Sequence, residues 1–333
     1  MGFAINPLNP PYQGDFKRKC VSPKDEKMSI DSGYFWFRLF KTRGIGPKLL
    51  GSIAKILEAE NLKPEMLLYN RSDLSAQFPE LAKIREEDSE KIFAAYEELK
   101  DHGINIIYPG HPYFPQHLLE IAPVLFVKGE QKRLRSDSIT IVGARDVSDK
   151  GVRITRKLAG ELVGKGINIV SGYVAGVDVE AHLGALEAGG TTTIVLSDGI
   201  KQLRQKSAFK KFNWDRDVLA VSQFDPDTER SAWDALERNQ LVCALSKAVV
   251  VIESGPERDT EGKLSGTFIT AKAALDLNLP VFVVNPSNLD NAPKGNADLI
   301  ALGGYSFDPA NGAAEIGKYW DIRICRRING PVF

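Results

Sequence analysis

The chain has 333 residues, enough for about two domains and a sizeable core. Its 43% hydrophobic and 26% charged residues are those of an ordinary globular protein, which excludes wholesale disorder. Lys+Arg and Asp+Glu both number 43, so the net field draws no polyanion and any such partner must be held by a local patch.

Cys20, Cys243 and Cys325 lie far apart with no ligand spacing, which predicts no metal site and fits a reducing compartment. The N-terminus has no apolar signal region, and runs such as "AVVVI" (248–252) are too short to span a bilayer. The expectation is a soluble cytoplasmic protein with no membrane partner and no cofactor.

Residues 1–30 mix Pro, Gly and Asn with Lys17, Arg18, Lys19, Lys24 and Lys27 and lack hydrophobic periodicity, so they read as a flexible arm. From Tyr34 the pattern is helical. An apolar helix meets a Gly44-Ile45-Gly46-Pro47 break, and a second helix carries Leu49, Leu50, Ile53, Ile56 and Leu57 on one stripe. This unit resembles a helix-hairpin-helix, in which Gly44, Gly46 and Lys48 would present amides and charge to a DNA phosphate. A tight αα-hairpin that only packs explains the same residues. Helical periodicity continues over residues 73–84 and 89–101, giving an all-α region over 31–103.

After "DHG" the period shortens to strands at 104–109, 124–127 and 138–143. Helices over 151–164, 179–188, 231–245 and 267–276 then alternate with strands at "INIV", "TTIVL", "VLAV", "AVVVI" and "VFVV". Near-continuous Val/Ile runs between amphipathic helices predict an α/β fold, a Rossmann-like parallel sheet covered on both faces, over 104–310. Residues 311–333 are left as a tail. Ligands of such sheets bind beyond the carboxyl ends of the strands, which directs attention to four segments.

In "IVGARDVSDKG", Gly143 lets backbone amides approach an anion and Arg145 offers a bidentate fork. "SGYVAGVDVEAH" places Ser171, Gly172, Gly176, Asp178 and His182 around a strand-to-helix turn. Asp178 and His182, four apart, fit either an acid-base pair or a helix cap beside a hydrogen-bonded histidine. "ERNQ" contributes Arg238 and Asn239, donors suited to phosphate and base edges. Finally Ser265, Gly266 and Thr267 open a helix, where unpaired amides and the helix dipole favour an anion. Neither G-x-G-x-x-G nor G-x-x-x-x-G-K-[ST] follows a strand, so neither a dehydrogenase nor a P-loop NTPase is supported.

The ordered run "YPGHPYFPQHLLEIAPVLFVKGE", "IVGAR", "VSGYVAGVDVEAHLGALEAGGTTTIVLSDGI", "RNQLVCALSKAVVVIES", "SGTFITAKAAL" and "GNADLIALGG" resembles the DNA-processing protein A (DprA/Smf) family. The resemblance implies an extended Rossmann-like sheet of the SLOG type behind a small all-α helix-hairpin-helix or SAM-like domain. It further implies single-stranded DNA binding without catalysis, homodimerisation, and delivery of DNA to a RecA-type recombinase in natural transformation. By position it assigns phosphate and base contacts to Gly143, Arg145, Ser171, Gly172, Gly176, Asp178, Arg238, Asn239 and Ser265 to Thr267.

Departures stand beside it. Ala175 occupies a position that is basic in the family, and Gln240 replaces an arginine. After "DGI" an unusual "KQLRQKSAF" appears, in which Lys201, Arg204, Lys206, Lys210 and Lys211 either compensate or form a solvated face. The 311–333 tail is too short for the winged-helix domain that many relatives carry. These departures admit a second role, a component of a phage-defence or toxin–antitoxin system that binds DNA, a nucleotide or a toxin partner. A third, hydrolysis of a nucleotide N-glycosidic bond, needs a carboxylate after Gly266-Thr267, where Phe268, Ile269 and Thr270 stand.

Overall fold

A computed structural model of the chain describes residues 31–65, 78–85, 89–229 and 232–319. The expected arm over 1–30, residues 73–77 of one expected helix, residues 320–333 of the tail, and Cys20 and Cys325 lie outside the described residues.

Three helices come first: α1 (Ser32–Lys41), α2 (Pro47–Ala59) and α3 (Ser89–Asp101). Asp31 caps α1 by accepting the Tyr34 N–H at 2.8 Å, and Pro47 sits where a helix has no use for its missing donor. Where an α-helix was expected to end at 84, Pro79–Arg85 is a 3-10 helix, closed from its start by Leu81 N–H on the Phe78 carbonyl.

One sheet follows, with strands β1 (Asn105–Ile107), β2 (Leu125–Gly129), β3 (Ser138–Val142), β4 (Asn168–Ser171), β5 (Thr192–Val195), β6 (Val218–Ser222), β7 (Val249–Val251), β8 (Val281–Val284) and β9 (Tyr305–Phe307). Between them lie helices α4 (Asp149–Val163), α5 (Val177–Glu187), α6 (Trp214–Asp217), α7 (Ala232–Ala244), α8 (Gly266–Asp276) and α9 (Lys294–Ala301). The strand order is β1-β2-β6-β5-β4-β3-β7-β8-β9.

The run from β6 to β9 is parallel, as expected, but β2 is antiparallel to both β1 and β6. A parallel neighbour needs a crossover helix, and the β1–β2 connection holds only the 3-10 turn Gln116–Leu118. Helix α9 and strand β9, absent from the sequence reading, extend the sheet by one strand. A further helix over 312–319 buries Ala313 and Ile316, so this part of the expected tail packs on the fold.

Alternation along the strands divides the core. On one face Ile139, Ile141, Ile169 and Val250 meet α4 and α5, while Phe126, Ile194, Val218 and Ala220 meet the helices of the N-terminal region. On the other, Val142, Val170, Val195 and Val251 meet α7 and α8. The N-terminal helices dock through aromatic contact: the Phe37 and Phe40 rings approach Phe126 edge-on at 6.0 and 5.1 Å. Among the described residues no helix is long and apolar enough to cross a membrane.

Phe126 is fully buried between the helices and the sheet. Replacing it with alanine should lower the unfolding free energy by about 3–5 kcal/mol, read by urea denaturation, because the docked helices cannot collapse into the space.

Candidate nucleic-acid interface

Strand order turns around between β3 and β7: successive strands run outward one way from β3 and the other way from β7. The loops after these strands diverge and leave a crevice between them, where open α/β sheets bind their ligands. The Ala144 N–H donates to the Glu253 carbonyl at 2.8 Å and ties the two loops together at its base. The Glu253 carboxylate then accepts from the Ser148 N–H at 3.1 Å and from the Ser148 hydroxyl. That same hydroxyl accepts the Gly151 N–H at 3.0 Å and caps α4, which therefore starts at Asp149 rather than 151. Arg145 rides on a loop fixed at both ends. It is exposed and makes no hydrogen bond or ion pair among the described residues.

The second wall is the turn between β4 and α5. Gly176 adopts φ 86° and serves as the N-cap of α5, and a Cβ there would collide with the Ala144 and Arg145 carbonyls. The helix cap assigned to Asp178 thus belongs to a residue with no side chain. Asp178 instead faces inward, against the Arg238 guanidinium and the space above Gly172, where a Cβ would strike both. Burial pushes the Asp178 carboxyl up, while Arg238, the Ser171 hydroxyl and the Val174 N–H pull the other way. Arg238 donates through Nη1 to the Val195 carbonyl at 3.0 Å, which makes it part of the floor.

The third wall is the start of α8. Ser265 accepts the Phe268 N–H at 3.3 Å, and Gly266 and Thr267 occupy the first turn, where amides have no intrahelical acceptor. Asn239, 6% exposed, lines the same space, and its carboxamide has no hydrogen-bond partner among the described residues. The open cavity measures about 760 Å³.

Gly143, Arg145, Gly172, Asp178, Arg238, Asn239, Ser265, Gly266 and Thr267 all line this cavity. Ser171, Gly176 and His182 do not. The Ser171 hydroxyl donates to the Ile141 carbonyl at 2.6 Å inside the sheet. His182 is fully buried, with Nε2 on the Gly172 carbonyl and Nδ1 on Thr192 Oγ1, each at 2.5 Å. A carbonyl only accepts, so Nε2 carries the proton, and the ring supports the turn rather than exchanging protons with Asp178.

Gly44, Gly46 and Lys48 also lie away from the cavity. The end of α1 is tied by Lys41 to Asp225, past β6, three strands from β3. Gly44 takes φ 92° to make the hairpin bend, Gly46 is the N-cap of α2, and Lys48 is exposed.

Sequence reasoning missed Glu253 and Lys263. A carboxylate ending a fully buried strand was the signal for the first. The second is an exposed lysine lining the cavity whose side chain makes no hydrogen bond or ion pair among the described residues. A larger cavity, about 1020 Å³, opens at the opposite rim around Leu134, Leu277 and Phe282, but its Lys247 is paired with Asp137. No group of three or more metal-ligating side chains occurs among the described residues.

The family model described as DNA recombination-mediator protein A matches residues 105–315. Protein Smf of Synechocystis sp. is 30% identical over 273 residues, 78% of this chain and 65% of that protein, so this chain spans just under two thirds of that relative. DNA processing protein DprA of Streptococcus pneumoniae is 28% identical over 75% of this chain and 87% of its own length. The X-ray structure of DNA processing protein A from Streptococcus pneumoniae shares the fold, with a TM-score of 0.65 at 23% identity over 86% of this chain and 99% of that one.

Burial pushes the His182 imidazole down to about 4 from the usual 6.5. The unfolded chain therefore binds the extra proton first as pH falls. The stability due to neutral His182 is complete above pH 6.5 and should drain away between 6.5 and 4, by about 3 kcal/mol. Urea midpoints measured across that window should fall for the wild type and fall less for His182→Gln.

Proposed function

This chain belongs to the DNA recombination-mediator protein A family, and on that basis we propose that the cavity between β3 and β7 holds single-stranded DNA by its phosphates, without catalysis. The observation that carries this reading is the convergence of Arg145, Lys263 and the first-turn residues Gly266 and Thr267 on one cavity that Asn239 also lines. Exposed cations whose side chains have no partner among the described residues, beside a helix N-terminus, favour a chain of negative charges. A buried carboxamide with no hydrogen-bond partner among the described residues suits the edge of a base beside them. Since the chain is neutral overall, affinity must come from this local patch.

We further propose that the bound strand is passed to a RecA-type recombinase and that the working form is a homodimer. Leu302 and Tyr305, each half exposed beside β9, the last strand of the sheet among the described residues, offer an apolar surface where a second copy would sit. The glycosidic reading has no support at the start of α8: Phe268 is buried, Thr270 bonds back to the Gly266 carbonyl, and no carboxylate follows Gly266-Thr267.

Fluorescence anisotropy of a labelled oligothymidylate should show binding that weakens as salt rises. Arg145→Ala and Lys263→Ala should each reduce the slope of log K against log salt by about 0.7 to 1, the loss of one phosphate contact. Absence of salt-sensitive binding by the wild-type protein refutes the reading. Recombinase-driven strand exchange in the presence and absence of the protein tests delivery, and light scattering of wild type against Leu302→Asp tests the dimer.

A further inference from the structure

The polar groups of the cavity can take a phosphate or the edge of a base, but none of them matches the flat apolar face that every base also carries. Proteins that grip single strands commonly meet that face with an aromatic ring. No aromatic side chain is among the described residues that line this cavity. Its aliphatic lining is Val142, Val174, Ala175, Val242 and Leu264, of which Val142 and Val242 are buried in the core and Ala175 offers only a methyl group.

Leu264 stands apart. It is 37% exposed, and of the exposed large hydrophobic side chains among the described residues it alone lines this cavity. A single exposed leucine is ordinary on a protein surface. This one is held in place by a hairpin whose two arms both reach the cavity, through Gly255 on one and through Lys263 and Leu264 on the other.

In that hairpin, between β7 and α8, Leu264 faces Arg258 across an antiparallel bridge. The backbone bonds on either side of the pair are both made: the Asp259 N–H donates to the Lys263 carbonyl and the Ser265 N–H to the Glu257 carbonyl, each at 3.0 Å. The Asp259 carboxylate closes the tip by accepting the Glu261 and Lys263 N–H groups, each at 2.9 Å, and Gly262 takes φ 79° between them. At the foot, Glu257 pairs with Lys272 of α8 at 2.9 Å. A slip of one residue, which would turn Leu264 to the opposite side, would break these bonds. The exposure of the leucine is therefore set by the hairpin and not by a loose end of chain.

We infer that Leu264 is the apolar platform on which a base of the bound strand rests. The inference rests on the single-stranded DNA reading of the cavity. Adjacent positions then divide one nucleotide between them, Lys263 supplying charge for its phosphate and Leu264 supplying surface for its base. An aliphatic platform works by removing apolar area from water and makes no hydrogen bond, so it serves any base. Leucine is among the apolar side chains that wedge against base steps in other nucleic-acid complexes.

The test is binding of oligothymidylate, and of an abasic strand with the same number of phosphates, by wild type, Leu264→Ser and Leu264→Met over a range of salt. Leu264→Ser should weaken oligothymidylate binding by about five- to tenfold, the low end of what losing a base-stacking side chain costs. The slope of log K against log salt should stay that of the wild type, because no charge is removed. On the abasic strand Leu264→Ser and wild type should bind alike, and Leu264→Met, which keeps the apolar surface, should hold oligothymidylate within about twofold of wild type. Equal losses on both strands overturn the inference, since Leu264 would then only shape the hairpin that carries Lys263. So does oligothymidylate binding that Leu264→Ser leaves unchanged. Either result leaves the DNA reading intact, whereas absence of salt-sensitive binding by the wild type overturns both.

Discussion

The hydrogen bond from the Ala144 N–H to the Glu253 carbonyl joins two loops that would otherwise separate where the strand order reverses. Because β3 and β7 are adjacent and parallel, both chains leave the sheet at the same height and then turn to opposite faces. Glu253 reinforces the junction with its carboxylate, which holds Ser148 at the far end of the Arg145 loop. One residue thus fixes both ends of the five-residue excursion from Ala144 to Ser148 and leaves its single arginine exposed. Gly151 belongs to the same arrangement, since a Cβ there would run into the Glu253 carboxylate.

The cavity grades from a dry floor to a wet rim. At the floor Asp178 and Arg238 are buried, Arg238 on the Val195 carbonyl, and behind them His182, outside the cavity, holds the Gly172 turn to Thr192. Buried charges of this kind are costly to leave unpaired, so they stiffen the turn around them. At the rim the Arg145 and Lys263 side chains are exposed and unbonded among the described residues, beside the first amides of α8. Such a division suits recognition of a flexible polyanion: the geometry is set before binding, and the groups that meet phosphate give up little internal bonding to do so.

The N-terminal helices share the sheet's core through Phe37, Phe40 and Phe126, and ion pairs from Lys41 to Asp225 and from Lys201 to Glu98 tie the same surfaces at their edge. Their hairpin glycines therefore sit on the carboxyl rim of the sheet but beyond β6, in a place separate from the cavity. A strand of nucleic acid that touched both would have to cross the loops above β4 and β5, the region that Phe209 and Lys206 cover.

Period and punctuation in the sequence were enough for the parallel core, because each Val/Ile run is buried on both faces and has no polar side to blur it. They also led to nine of the twelve residues assigned to the sheet's rim, since glycines and small hydroxyls after buried strands mark close backbone approach. Local pattern could not separate Ser171, Gly176 and His182 from the cavity, because whether a side chain turns inward or outward at a strand end depends on what packs opposite it: here the Ile141, Ala144 and Gly172 carbonyls. Nor could it show that β2 runs antiparallel, or that Glu253 and Lys206 act on loops more than thirty residues away. The sequence by itself determined which elements form and where their backbone comes close to something else. Tertiary contact alone decided which charges remain for a ligand, because a charge becomes available or committed only when residues distant along the chain meet it.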